Sequence, residues 1–401
     1  MNKFTVYCVC GGFGFPIGTA SAKRITLIGK CLAISGIPFN VLHIGPSSFK
    51  ENKARKGKFE GLSFEYLSPS VVWPKWIVKR VLYYFWGCMM LPLVLAKHRR
   101  NSVVYIYYQG NLINLWVLFL CRAMRIPPVQ EACEWWPKTE NGSVFMEWMY
   151  HKIMFKWSRG AMPISHEIEK RIRQLCKADF PVLRVPALVD SEENKTQDEK
   201  TESSGSALPV IFWCGMVDGY LRDVLFFIDV MAAMKSVKGS MCVFEIIGPC
   251  SDKSRKILLS HADSKKIDLT RIHILGFVSD DLLWKHCRQA EALLMPLWDD
   301  DRSKTRFPTK LGLYVAAGRP VVTTPIGEIG YFMNDENAIF YKPGDIEGCA
   351  QSLDQLLSSP DLVQRISSKA FVEVLPKLEY RKNAARISRW FEKVYSGAGN
   401  D

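Results

Sequence analysis

The sequence predicts an α/β protein built from two doubly wound domains in tandem, and three observations carry that expectation. Short apolar runs of strand length alternate with helix-length patterns along the whole chain. The alternation breaks once, at DSEENKTQDEKTESSGS between Asp190 and Ala207, a stretch without a large apolar residue that reads as a solvated linker. The positive charge lies on one side of that break. Residues 1–190 hold 26 Lys and Arg against 11 Asp and Glu, and the remainder hold 27 against 29, so the formal +13 belongs to the first half.

The elements follow in order. Phe4 to Cys10 reads as a strand, Ala20 to Gly36 as a helix and Phe39 to Ile44 as a strand, a βαβ beginning. Val103 to Tyr107, the helix Leu112 to Met124, Val129 to Ala132, a helix around Val144 to Trp157 and Ala161 to Ile164 continue the rhythm. Ser165 can N-cap the next helix, and Val182 to Val185 reads as the strand that closes the half. The second series runs through strands Val210 to Cys214, Val243 to Ile247, Ile272 to Leu275, Ala292 to Pro296 and Pro320 to Thr323. Helices Val224 to Met234, Lys253 to His261, Asp280 to Cys287 and Thr309 to Ala317 alternate with them, and helices over about Ile346 to Leu357, Leu362 to Val374 and Tyr380 to Val394 end the chain. The expected division is a domain over 1–189, a linker over 190–207, a second domain over 208–378 and a final helix over 379–401 that packs back on the first domain.

With 401 residues, 48% hydrophobic and 23% charged, the chain can form two sizeable cores. Twelve cysteines without a C-x-x-C pair, only Cys8 and Cys10 lying close together in a strand, indicate neither a zinc site nor a disulfide framework. A strand begins directly after Met1 with no cleavable leader before it, so the expectation is a cytoplasmic protein. The basic half suggests nucleic acid or membrane as partner; no recognition motif accompanies the charge, so no nucleic acid is expected.

The longest apolar run, Val81 to Ala96, falls short of a span and is interrupted by Gly87 and Pro92. Its length fits a buried core helix first. Its flanks, with Lys75, Lys79, Arg80, Lys97, His98, Arg99 and Arg100, also fit a helix lying in an anionic membrane interface, and a true span is the third reading.

In doubly wound sheets ligands sit at the carboxyl ends of the strands, so function is sought in the loops that follow them. After the first strand, Gly11 to Thr19 is glycine-rich without the G-x-G-x-x-G spacing, and its glycines fit either a phosphate approach or a plain turn. Lys23 and Arg24 follow, most simply on a solvated helix face. After Ala292 to Pro296, the loop Leu297 to Lys310 is dense in charge ahead of a helix start. Pro308 and Thr309 suit helix N-terminal positions, and Arg306 and Lys310 with the free amides there would form an anion site. The acidic triplet Asp299 to Asp301 is read as solvated loop rather than metal site, and no metal is expected. Gln130 to Pro137 ends a strand with Glu131, Glu134, Trp135 and Trp136. Trp faces stack on sugars and carboxylates bind sugar hydroxyls or act as bases; core tryptophans with solvated acids are the other reading.

The run Arg306 to Pro320, RFPTKLGLYVAAGRP, followed by VVTTPIGEIGYF, resembles the donor-site signature of glycosyltransferase family 4, whose members have the two-domain GT-B fold. FPIGTASAKR at Phe15 to Arg24, Pro163-Ile164-Ser165, VPALVD at Val185 to Asp190, Ile247-Gly248-Pro249 and Leu275-Gly276-Phe277-Val278 resemble further family segments in the same order. The resemblance implies two Rossmann-like domains facing a cleft, with Pro308, Thr309 and Lys310 at the donor diphosphate, Gly18 and Gly215 in the turns that face it, and Gly276, Phe277 and Val278 beside the base. The family's first phosphate cation after the second domain's opening strand falls on Met216, and its second on Arg222. Its paired glutamates, with seven residues between them, fall on Thr305 and Leu313, neither acidic; Glu328 is the nearest acid that could bind ribose instead.

The expected activity is therefore retaining, metal-independent and cofactor-free transfer of a sugar from a nucleotide-diphosphate donor to a glycan or lipid-linked glycan. Lys310 and Arg222 stabilise the leaving diphosphate and Glu134 stands at the reacting centre, with Glu131, Trp135 and Trp136 on the acceptor. The basic first domain places the enzyme at the inner face of the membrane. The alternative is a catalytically impaired GT-B protein that binds nucleotide sugar as the partner of another transferase.

Overall fold

The structure, a computed structural model, describes residues 4–107, 111–135, 143–192, 208–236 and 241–397. Backbone contacts divide the chain into two compact units. The first comprises the residues up to Leu188, the short segment Thr305–Phe307 and the segment from Tyr380 onward; the second comprises Val189–Lys304 and Pro308–Glu379.

The first unit is a seven-stranded sheet of β1 (Thr5–Cys10), β2 (Phe39–His43), β3 (Lys56–Phe59), β4 (Leu62–Tyr66), β5 (Ser102–Ile106), β6 (Pro128–Ala132) and β7 (Gly160–Pro163), in the order β3-β4-β2-β1-β5-β6-β7. Only β3 runs antiparallel. The inner strands are near-continuous apolar runs, as a sheet covered on both faces requires, and β1 and β5 are almost wholly buried. The edge hairpin β3–β4 is absent from the sequence-based reading. KGKF is largely exposed, and its signal lies in the turn, where Glu60 and Gly61 both take left-handed backbone as a two-residue hairpin loop demands. Val182 to Val185 forms no strand; Val182 makes a single bridge to Ala161. The helix expected around Val144 to Trp157 is α-helical over Val144–Met149 and passes into a π-turn over Tyr150–Met154. Ser165 does cap its helix, accepting from the Ile168 amide at 3.2 Å.

The helix Tyr380–Ser396 completes the first unit by packing along Ala20–Ile34. Tyr380, Ile387, Trp390 and Phe391 enter the core between Ile25, Leu32 and Tyr105, and Phe4 stacks on Tyr395 at 4.6 Å.

The apolar segment Val81 to Ala96 belongs to a 22-residue helix, Ile77–His98, and the core-helix expectation fails. Gly87, Leu91 and Leu95, spaced by four, form its one buried stripe. Gly87 lies against the Ile44 carbonyl, where a Cβ has no room. The opposite stripe, with Val78, Val81, Leu82, Phe85, Trp86, Met89 and Leu93, is apolar and exposed. By length and composition the helix could cross a membrane.

The second unit is an all-parallel six-stranded sheet of β8 (Val210–Cys214), β9 (Val243–Ile247), β10 (Ile272–Gly276), β11 (Ala292–Met295), β12 (Val321–Thr323) and β13 (Ile339–Phe340). Its order, β10-β9-β8-β11-β12-β13, reverses direction between β8 and β11, the switch point where ligands bind in such sheets. Helices Leu221–Ala233 and Ile346–Ser358 pack together over one side, with Phe227, Val230, Leu353 and Leu356 buried.

Candidate functional site

At the switch point, helix Lys310–Ala316 is held over the ends of β8 and β11 by its own tyrosine. The Tyr314 hydroxyl accepts from the Cys214 amide at 3.1 Å and donates to the Leu294 carbonyl at 3.3 Å. Leu311 and Val315 are buried beneath the helix, and Gly312 is pressed on Val189, where a Cβ would lie 2.8 Å from the valine Cβ. These contacts fix Lys310 at the first helical position, its Nζ 4.2 Å from the centre of the Trp213 ring. Burial pushes the Lys310 ammonium down from its usual value, opposed by the nearby Cys214, Asp223 and Cys287 side chains.

Around Lys310 the second unit gathers more charge than the sequence reading foresaw. Arg222, in the first turn of its helix, stacks on Trp298 with its guanidinium 3.5 Å from the ring centre. Trp298 in turn donates from Nε1 to Asp223 Oδ1 at 2.8 Å. Arg302 lies over the Tyr220 ring at 4.9 Å. Asp223 is buried, and burial pushes its carboxyl upward against the pull of Lys310, the Trp298 N–H, Arg302 and Arg222. Three cations thus act on one carboxylate at the switch point, leaving positive charge for an anionic ligand. Trp298, Asp223 and Arg302 were not singled out from the sequence. Trp298 and Asp223 are 75 residues apart, and only the fold brings them together.

The other expected donor residues of this unit divide. Gly215 has φ +155° and Gly276 φ +74°, and Gly248 packs where a Cβ would overlap the Gly215 carbonyl, so the turns after β8 and β9 touch through glycine. After β10, Phe277 is 77% exposed and Val278 half-buried, an open aromatic face. Pro308 is half-buried; Thr309 directly precedes the helix, with helical backbone and no side-chain cap bond, so both stand at its N-terminal end as expected. Glu328 is 1% exposed at the head of the helix Ile329–Phe332. Leu313 is half-buried on helix Lys310–Ala316, Thr305 ends the separate short helix Asp301–Thr305, and Met216 is exposed. The acidic triplet is accounted for locally, since Asp300 Oδ1 accepts from the Ser303 amide at 2.7 Å and Asp299 pairs with Lys304 at 2.5 Å. Among the described residues no three His, Cys, Asp or Glu side chains gather as a metal site.

In the first unit several residues have partners that the sequence does not show. The segment of Arg306 groups with the first unit, where its guanidinium pairs with Glu134 at 2.9 Å. Ser165 Oγ donates to the Thr305 carbonyl at 2.5 Å, holding that segment in place. Glu134 keeps one buried carboxylate oxygen, Oε2, without a partner. Glu131 is fully buried, within an ion-pair cluster. Its Oε1 takes Arg24 at 2.9 Å and the Cys133 thiol at 3.1 Å, and its Oε2 takes the Tyr105 hydroxyl. Arg24, expected on a solvated face, is itself buried and donates to the Val185 and Pro186 carbonyls at 3.0 and 2.8 Å. Trp135 is a core residue, edge-on to Tyr150 at 4.9 Å and stacked on Phe155. Trp136 lies outside the described residues. Gly18 is required by the turn itself, because a Cβ there would overlap the Gly14 carbonyl. That turn is braced by Asn52, which pairs with both the amide and the carbonyl of Ile17 at 3.0 and 2.7 Å.

Residues 208–359, the switch-point sheet with its cations, match the family described as Glycosyl transferases group 1. Over those residues the chain is similar to a glycosyltransferase family whose members use nucleotide-sugar donors. Its fold is GT-B. Solved structures agree on the fold along nearly the whole chain. Sucrose-phosphate synthase from Thermosynechococcus elongatus superposes with a TM-score of 0.76 at 11% identity, covering 98% of this chain and 100% of that one. HepE of Anabaena in complex with UDP-glucose gives 0.70 at 12% identity, covering 98% and 99%. WaaG, a glycosyltransferase involved in lipopolysaccharide biosynthesis, gives 0.63 at 14%, covering 96% and 100%. No curated protein matches the chain by sequence.

Proposed function

We propose that this glycosyltransferase moves a sugar from a nucleoside-diphosphate donor to a glycan or lipid-linked glycan, with retention at the anomeric carbon and without a metal. The observation that carries the reading is the cluster of Lys310, Arg222 and Arg302 around Trp298 and Asp223 at the switch point of the second sheet. Such a cluster supplies, from side chains alone, the positive charge that a departing diphosphate needs. The exposed Phe277 offers a face for the base. The UDP-glucose complex of HepE supports the donor class, and the lipopolysaccharide assignments of WaaG and of the galactosyltransferase WaaB support the acceptor class.

The same reading places the enzyme at a membrane surface, on the cytoplasmic side. Helix Ile77–His98 docks one stripe on the first unit and turns the opposite apolar stripe outward, with basic residues at both ends, which suits a helix lying in the interface plane.

Donor turnover tests the chemistry. With a panel of nucleotide sugars, Lys310→Ala should lower turnover about 100- to 1000-fold, as loss of a preorganised charge at the leaving group does. Turnover equal to wild type removes Lys310 from the mechanism. A wild type that gains thermal stability from UDP yet turns over no donor favours the second reading, a nucleotide-sugar-binding partner, for which Met216 and Leu313 at the family's cation and glutamate positions speak.

A further inference from the structure

A cavity of about 540 Å³ opens in the first unit at the amino ends of β5 and β6, away from the loops at their carboxyl ends where chemistry is sought. Arg99, Arg122, Arg125 and Arg159 all contribute to its wall, and no acidic residue does. Helix ends account for part of this. Arg99 follows helix Ile77–His98, and Arg122 lies in the last turn of Leu112–Met124, positions where the helix dipole favours a cation.

Two features exceed what the dipole requires. Arg125 occupies the helix C-cap in left-handed backbone, φ +55°, where glycine is the usual residue; the arginine side chain is retained there at a cost of about 1–2 kcal/mol. Ser102, 2% exposed, also lines the cavity, and its buried hydroxyl oxygen has no hydrogen-bond partner among the described residues. A buried hydroxyl without a partner is rare and unfavourable.

The cavity shares the wall of Trp157 with a second, apolar groove of about 480 Å³, formed by Leu112, Leu115, Trp116 and Phe119. Trp116 donates from Nε1 to the Cys88 carbonyl at 3.1 Å, tying that groove to the helix whose apolar stripe is exposed. Along one edge of the unit lie, side by side, an apolar face, an apolar groove and a cationic cavity.

We propose that this edge binds one anionic membrane phospholipid, its phosphate in the arginine cavity and an acyl chain in the groove. The site is an anchor separate from the acceptor site. It rests on the membrane placement above and adds to it a specific headgroup contact, which fixes the enzyme's orientation on the bilayer. Arginine forks bind phosphate oxygens bidentately, and the groove selects a lipid over free phosphate.

The test uses the full chain in flotation with vesicles of phosphatidylcholine alone or mixed with phosphatidylglycerol, at fixed ionic strength. Arg122→Gln with Arg125→Gln should weaken binding to the phosphatidylglycerol vesicles about 10- to 100-fold. Lys53→Gln with Lys58→Gln, an equal change of charge at exposed positions beside and in the edge strand β3, should weaken it less than about threefold. Donor turnover in detergent solution, expected unchanged in all these variants, reports that they are folded. Equal losses in the two charge pairs overturn the site and leave the membrane reading standing. Absence of wild-type binding to any vesicle overturns both. A thermal shift with inorganic phosphate that depends on Arg122 and Arg125, together with vesicle binding that does not, assigns the cavity to free phosphate and overturns the lipid.

Discussion

Replacing Arg24 by methionine removes the cation from the most enclosed polar cluster of the first unit. The change leaves the Glu131 carboxylate fully buried with only the Tyr105 hydroxyl and the Cys133 thiol as partners, and it strips the donors from the Val185 and Pro186 carbonyls. Leaving one member of a buried ion pair costs about 3–5 kcal/mol, and two orphaned carbonyls add about 1 kcal/mol or more each where water cannot reach. A loss of about 5 kcal/mol corresponds to a fall of roughly 10–20 °C in the melting of a domain this size. Differential scanning calorimetry, which resolves the two units' transitions if they melt separately, is the assay. Glu131→Gln should destabilise comparably by stranding the arginine, whereas the double variant Arg24→Met with Glu131→Leu should recover most of the loss, because two apolar groups fill the site without a buried charge. The stabilisation conferred by UDP on the second unit should be unchanged in every variant. Single variants that lose less than about 1 kcal/mol, or a Glu131→Gln enzyme of normal Tm with weakened acceptor binding, would refute the structural role and return Glu131 to the acceptor.

Two further outcomes are expected. Gly87→Leu should detach helix Ile77–His98, since its side chain meets the Ile44 carbonyl and cannot yield; proteolysis within Ile77–His98 should accelerate while donor binding persists. His43, buried beside the Phe13 and Gly45 carbonyls, is pushed down from 6.5 to about 4 by desolvation. A depressed pKa stabilises the fold above the unfolded value and loses that contribution as pH falls, so stability should decline between about pH 6.5 and 4 by as much as about 3 kcal/mol, measured by denaturant titration at each pH; a His43→Gln variant should lack this portion of the slope.

How far the molecule could be read from its sequence depended on where each residue's partners lie. Val210–Cys214, Val243–Ile247 and Leu112–Met124 were legible to the residue because their apolar runs have strand or helix length and end at polar or glycine positions. Lys310 was legible as a helix start because Pro308 and Thr309 precede it in a contiguous motif. Glu131 was not, because a carboxylate at a strand end reads alike whether it meets solvent or an arginine 107 residues distant. Trp135 shared that ambiguity, and Arg306 met its partner in Glu134 far back along the chain. Helix Ile77–His98 misled for a different reason. Hydrophobicity marks a surface that avoids water, and it does not say whether protein or lipid covers it.

The first unit's discontinuity in sequence bears on how the molecule is made. Its strands emerge early, yet Ile25, Leu32 and Tyr105 stay uncovered until Tyr380–Ser396 arrives, after all of the second unit has been synthesised. A nascent chain therefore carries an open apolar surface on its earlier half while the later half is free to fold. The second unit should reach its native state first during translation, and the half that leaves the ribosome earliest should be the one that waits for chaperones.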